Sequence, residues 1–196
     1  MLEARDLTFA YPGAAPVLQG VSLAVEPGER VALTAPSGRG KTTLCQLLAG
    51  YLQPTRGQVL ADGAPLPTRG ACPVQMIWQH PEKVLDPRLS LGRSLEQAGA
   101  PQQRVVEALG IRPQWMSRYP HELSGGELQR FCIARALGAN PRYLIADEIS
   151  TMLDAVTQAQ LWRFLLEEQQ RRGFGLLLVT HSPQLQELLA TRVAEL

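Results

Sequence analysis

The chain reads as an α/β protein: a mostly parallel sheet with flanking helices, an antiparallel β segment at the N-terminus and an α-helical segment inserted in the middle. Three observations carry this reading. Apolar runs of strand length alternate with helical patterns along the chain. One run, Gly175 to Thr180, is apolar throughout, as in strands buried on both faces of a parallel sheet. Between Pro81 and His121 the composition shifts to Pro, Arg, Gln and short helical stretches, which marks an insertion at about residues 81–122. At 196 residues the chain is the size of one domain, taken as residues 1–196.

In order, Leu2 to Tyr11 and Val17 to Val25 alternate loosely about Pro12-Gly13 and read as two antiparallel strands. Glu26 to Glu29 is a turn, and Arg30 to Thr34 a short apolar strand. From Thr42 to Gly50 the spacing of Leu44, Leu47 and Leu48 turns helical, with Gly50 as the stop. Short strands follow around Gly57 to Ala61, Ala64 to Pro67 and Pro73 to Trp78. Within the insertion, Pro101 to Leu109 reads as a helix closed by Gly110. Beyond it come a helix over Gly126 to Leu137, a strand over Tyr143 to Ala146 and a longer helix over Val156 to Arg172. The Leu, Trp and Phe of that last helix suit core packing, and its Gln-rich side and Arg171-Arg172 a solvated face.

Charge excludes several functions. There are 19 basic and 18 acidic side chains, a balance that lacks the basic surface needed to displace counterions from nucleic acid. Cys45, Cys72 and Cys132 are odd in number and show no CxxC pairing, so neither a disulfide framework nor a zinc site is indicated, and a reducing, cytoplasmic setting is expected. Glu3, Arg5 and Asp6 stand where a signal peptide would be apolar, and no run of about 18 apolar residues could cross a membrane. Only Lys41 and Lys83 are Lys, which singles each of them out.

Lys41 belongs to Ala35-Pro36-Ser37-Gly38-Arg39-Gly40-Lys41-Thr42, a loop between an apolar strand and a helix. That is the context of a P-loop, in which glycines turn the backbone so that N–H groups and the helix N-terminus face phosphates. Lys41 would bridge the outer phosphates and the Thr42 hydroxyl would ligate Mg²⁺. Ala35 stands where the motif has its first glycine. If that position needs a positive φ, the methyl costs about 1–2 kcal/mol.

Two further stretches carry chemistry. Tyr143 to Glu148 is an apolar strand ending in two acids: Asp147, delivered to the sheet edge, is suited to holding Mg²⁺, and Glu148, one residue further, to polarising a water. In Leu123-Ser124-Gly125-Gly126-Glu127, Ser124 and Glu127 form a capping box, and the two glycines leave a helix N-terminus open to an anion. A chain with two phosphate sites suggests that they meet across two chains. His181, at the end of the apolar run, reads as a functional residue at the sheet edge, whereas His80 and His121 read as surface.

These residues resemble the ATP-binding subunits of ABC transporters. Ala35 to Thr42 and Tyr143 to Glu148 are similar to their Walker A and Walker B segments, and Leu123 to Glu127 to their LSGGQ signature. Gln79 matches the Q-loop, Ser150 to Asp154 the D-loop, His181 the switch histidine and Tyr11 the aromatic that stacks on adenine. A finer similarity, in Gln79 with Asp86-Pro87-Arg88, in Glu127 to Arg130 and in Thr157 to Gln160, is to dipeptide, oligopeptide and nickel importers. The resemblance implies a P-loop NTPase core that binds ATP through Tyr11, Pro36, Ser37, Gly38, Arg39, Gly40, Lys41, Thr42 and Thr43. It implies Mg²⁺ at Thr42, Gln79 and Asp147, catalysis by Glu148, His181, Lys41 and Gln79, and phosphate contacts in trans from Ser124, Gly125, Gly126 and Glu127.

It further implies a second ATPase subunit, identical or related, and membrane-spanning permease subunits, with the chain peripheral on the inner face of the cell membrane and energising import of a peptide, nickel or a metal chelate. A non-transport ATPase of the same family stays open, as does a small nucleotide kinase, although a kinase has no use for Leu123 to Glu127. Against the family pattern, Glu127 replaces the usual Gln, and Ile149-Ser150-Thr151-Met152 replaces Pro-Thr-Ser-Ala. By the same comparison the roughly 15 residues after His181 should lack the family's closing strands and C-terminal extension.

Overall fold

In the computed structural model, which describes residues 1–151 and 153–196, two sheets share one body. β1 (Leu2–Phe9) and β2 (Leu18–Val25) pair antiparallel, and β4 (Arg56–Ala61) with the two-residue β5 (Ala64–Pro65) extends them into a four-stranded sheet of order β2-β1-β4-β5. The second sheet is parallel throughout. Its strands are β3 (Arg30–Thr34), β6 (Val74–Ile77), β7 (Tyr143–Asp147), β8 (Gly175–Val179) and β9 (Arg192–Glu195), in the order β6-β7-β8-β3-β9.

Strand periodicity explains why β7 and β8 are apolar at every position. In β7, Leu144 and Ala146 enter one hydrophobic cluster while Tyr143 and Ile145 enter the other, and β8 divides Leu176 and Leu178 from Leu177 and Val179 in the same way. The first cluster is filled by α4 (Gly125–Gly138), α5 (Ala155–Arg172) and two short helices of the middle region, α2 (Leu91–Gln97) and α3 (Gln103–Ala108). The second is filled by α1 (Lys41–Leu48) and the antiparallel sheet. Single 3₁₀ turns at Pro81–Lys83, Pro113–Trp115 and Pro120–Glu122 complete the middle region, each with proline at its start.

Two expectations need correction. After His181 come α6 (Pro183–Leu189) and β9, so a closing strand is present; β9 pairs parallel with β3 from Val31↔Arg192 to Thr34↔Glu195. The end of α5 is solvated only in part: Gln170 and Arg171 are exposed as expected, but Glu168 and Gln169 are buried. Glu168 is fully buried there and meets Arg104 of α3 as well as Arg171 and Arg172, both at 2.8 Å, while Arg172 also donates to the Leu137 carbonyl. A buried carboxylate is tolerated when opposite charges and hydrogen bonds surround it, and this one ties α3, α4 and α5 together.

Candidate functional site

The chemistry-bearing segments leave the sheet at the carboxyl ends of four neighbouring strands. Gln79 follows β6, Asp147 ends β7 with Glu148 behind it, His181 follows β8 and the loop to Lys41 follows β3. In an open α/β sheet this edge, beside a point where strand order reverses, is where ligands collect.

The loop from Ala35 to Gly40 turns on Gly38 (φ +78°) and Gly40 (φ +93°), both left-handed, with Arg39 N–H donating to the Pro36 carbonyl. Pro36, Ser37, Gly38 and Arg39 are exposed along its rim. Ala35 is not among the residues of positive φ, so the strain considered for its methyl group does not arise. Its carbonyl accepts from Lys41 Nζ at 2.8 Å, and that of Pro36 at 3.3 Å. The Lys41 side chain is thereby folded against the loop, and the residue is only 7% exposed. The N-cap of α1 is Gly40, which offers no side-chain hydrogen bond, and no acidic residue stands in the first turn. The helix start thus keeps its N–H groups and positive dipole directed at the loop.

A cleft of about 380 Å³ opens there, bounded by this loop, Thr42, Thr43, Tyr11, Val17, Glu148 and His181. The Tyr11 ring stands edge-on to Phe9 with centroids 4.9 Å apart, and its hydroxyl lies 3.2 Å from that of Thr43.

On the other flank Asp147 is buried, and its Oδ1 has no hydrogen-bond partner among the described residues. Burial pushes its carboxyl above the ordinary range. The adjacent Thr42 hydroxyl and the Lys41 and His181 charges pull the other way, and Glu148 adds to the rise. An orphaned carboxylate oxygen beside a hydroxyl is a donor set that would suit a hard divalent cation. Among the described residues no cluster of three or more His, Cys, Asp or Glu could hold a metal by itself.

Glu148 has φ +50°, rare for a residue with a side chain, and its N–H is fixed to the Val179 carbonyl. Its carboxylate lies between two partners: Gln79 Nε2 donates to Oε2 at 3.0 Å, and His181 Nε2 meets Oε1 at 2.8 Å. Gln79, Glu148 and His181, far apart in sequence, form one chain of contacts.

Ser124 to Glu127 lie outside the phosphate cleft. Gly125 and Gly126 instead border Gln79, Ile149 and Leu153. The capping box expected there is formed: Glu127 Oε2 accepts from both Ser124 N–H and Ser124 Oγ at 2.8 Å, and Glu127 N–H returns to Ser124 Oγ at 3.4 Å. In the following loop Ser150 is buried, its hydroxyl accepting from Gln158 and from Trp162 Nε1, and Asp154 caps α5. Met152, part of the D-loop resemblance, lies outside the described residues.

The sequence reading missed a second cleft of about 520 Å³ on the far side of Thr42 and Asp147, walled by Tyr51, Trp78, His80, Lys83 and Arg135. Tyr51 and Trp78 meet edge-on, centroids 5.1 Å apart. Lys83 thus faces a cavity. No local signal could have shown it, because its walls come from α1, α4 and the segment after β6.

Against known proteins, the ABC transporter family model matches residues 18–151. The glutathione import ATP-binding protein of Salmonella choleraesuis is 35% identical, the match covering 90% of this chain and 32% of that protein. The probable D,D-dipeptide transport ATP-binding protein of Escherichia coli K12 is 34% identical, covering 90% and 59%. The chain thus spans roughly a third to three fifths of the length of these relatives. The solved dimeric structure of a bacterial ABC transporter cassette is similar with a TM-score of 0.84 at 25% identity, covering 100% of this chain and 94% of that one.

Proposed function

The chain belongs to the ABC transporter family, and from that premise we propose that it is an ATP-binding, ATP-hydrolysing subunit energising import of a small solute such as a peptide, nickel or a metal chelate. One observation carries the reading. A glycine loop with an uncapped helix start, a buried carboxylate with one oxygen unpartnered among the described residues, and a carboxylate held between Gln79 and His181 stand side by side on one sheet edge. Relatives named for glutathione and D,D-dipeptide import support the transport part. Residues 1–196 act as one ATP-binding domain, with about 81–122 as its inserted helical subdomain.

In this reading the backbone N–H groups of the loop and Lys41 hold the phosphates, and Tyr11 stacks on the base. Thr42 and Asp147, with Gln79, hold Mg²⁺, which when bound neutralises charge on the outer phosphates. Glu148 takes the proton of the attacking water, and His181 and Gln79 fix the direction of its carboxylate. The protein's contribution is orientation and fixed charge rather than covalent chemistry. The Ser124 to Glu127 segment faces the nucleotide of a second subunit, identical or related, with Ser124, Gly125 and Gly126 as the phosphate donors, consistent with a dimeric cassette of similar fold. Permease subunits hold the pair on the inner face of the membrane; no helix among the described residues is long and apolar enough to cross one.

The purified chain with ATP and Mg²⁺ should release phosphate, and Glu148→Gln should lower turnover by about 10²–10⁴-fold while retaining ATP. No phosphate release from the unaltered chain, with or without its permease, or an unchanged rate in the variant, overturns the assignment.

A further inference from the structure

The start of α4 already holds an anion. One oxygen of Glu127 takes both hydrogen-bond donors of Ser124, its N–H and its hydroxyl, at 2.8 Å each. The Ser124 hydroxyl proton is therefore committed inward, to a carboxylate on its own helix. Gly125 is exposed, with open space where a Cβ would stand, so the approach from outside is free while the donor it would meet is taken. Arg112 and Arg118 lie near enough for their charges to help hold the Glu127 carboxyl below its ordinary range, the Ser124 hydrogen bonds contributing most. This carboxylate is thus charged at neutral pH.

We propose that Glu127 is a resident competitor for the nucleotide phosphate at the composite site, setting how tightly two copies of this chain close on ATP. The inference rests on the ATPase reading above and goes beyond it. When a facing copy presents its phosphates to α4, two negative groups contend for the same helix start and the same Ser124 hydroxyl. For Ser124 to serve a phosphate, its bond to Glu127 Oε2 must break, leaving the carboxylate less satisfied and close to a like charge, an arrangement interfaces select against. Glutamine in the same place keeps the capping box, because its side-chain carbonyl can still accept from Ser124 N–H. It removes the charge and leaves Arg112 and Arg118 to attract the phosphate.

A role in capping alone would leave closure unchanged in the glutamine variant, which separates the two explanations. The experiment compares Glu148→Gln with Glu148→Gln/Glu127→Gln, both arrested in hydrolysis, by sedimentation over a range of chain concentrations with saturating ATP and Mg²⁺. Binding of a fluorescent ATP analogue to the dilute monomer serves as reference. The expected result is a dimer dissociation constant lower by about tenfold or more in the double variant, with the gap narrowing as salt is raised. Equal dimer constants in the two variants, or no ATP-dependent dimer in either, overturn the proposal while monomer binding persists. Absence of ATP binding by the monomer overturns the ATPase reading itself, and this inference with it.

Discussion

Two helices of this protein, α1 and α4, start on glycine-containing turns facing open space, yet they solve the problem of their free N–H groups in opposite ways. α1 begins at Gly40, a left-handed residue without a side chain, and has no acid in its first turn. α4 begins at Ser124, closed by a capping box with Glu127. The first spends its dipole on whatever binds the loop, and the second satisfies itself until something displaces its own carboxylate. The difference is that α1 leaves its first-turn N–H groups to the glycine loop that leads into it, whereas α4 closes its own with a side chain of its first turn.

The widest gap between the two helix starts should appear on removing Lys41. Its ammonium is buried against the Ala35 and Pro36 carbonyls, where it supplies the loop's only charged donor within the described hydrogen bonds. Lys41→Ala should weaken ATP binding by about 30-fold or more, the loss of a charge-assisted contact in a partly buried site being about 2–5 kcal/mol. Titration calorimetry checks it, and unchanged affinity would place phosphate recognition elsewhere.

Gly40→Ala should come next. At φ +93° an added Cβ would meet Leu18 Cδ2 and Val17 Cγ1 at 2.9 Å, and the left-handed backbone alone costs about 1–2 kcal/mol. A fall in the thermal midpoint of about 2–8 °C is expected from that cost, together with weaker ATP binding, and a variant as stable as the parent would show that the loop relaxes freely. Ser124→Ala should give the smallest change: loss of an N-cap is typically about 1 kcal/mol, a drop of about 2–4 °C by calorimetry. If it exceeded Gly40→Ala, the capped helix start would be the more strained of the two.

How much of this was legible depended on how local each feature is. The strand, loop and helix from Arg30 to Leu48 could be read because apolar runs, glycines and helical spacing lie within about 20 residues. The pairing of Ser124 with Glu127 was legible for the same reason. α6 and β9 were not: Arg192–Glu195 is mostly exposed, bonds on one side only, to β3, and carries none of the apolar density of β7 or β8. At Glu168 the arginines three and four residues on were visible, but Arg104 arrives from another helix, and only the fold turns that end of α5 into a buried ionic cluster. The strand-end placement of Asp147 and Glu148 could be inferred. The positive φ of Glu148, which sets its carboxylate between Gln79 and His181, could not, since no residue type announces it.

The place of β3 within the parallel sheet has a consequence for how the protein is made. β3 carries the phosphate loop at its end, and both of its sheet neighbours, β8 and β9, come from the last part of the chain. During synthesis the loop leaves the ribosome early, yet its strand has no hydrogen-bonded neighbour until residues 175–195 have followed. Pairings so distant in sequence close slowly. The nucleotide pocket therefore becomes rigid late relative to its own loop, and a nascent chain cannot pair β3 before residues 175–195 have been translated.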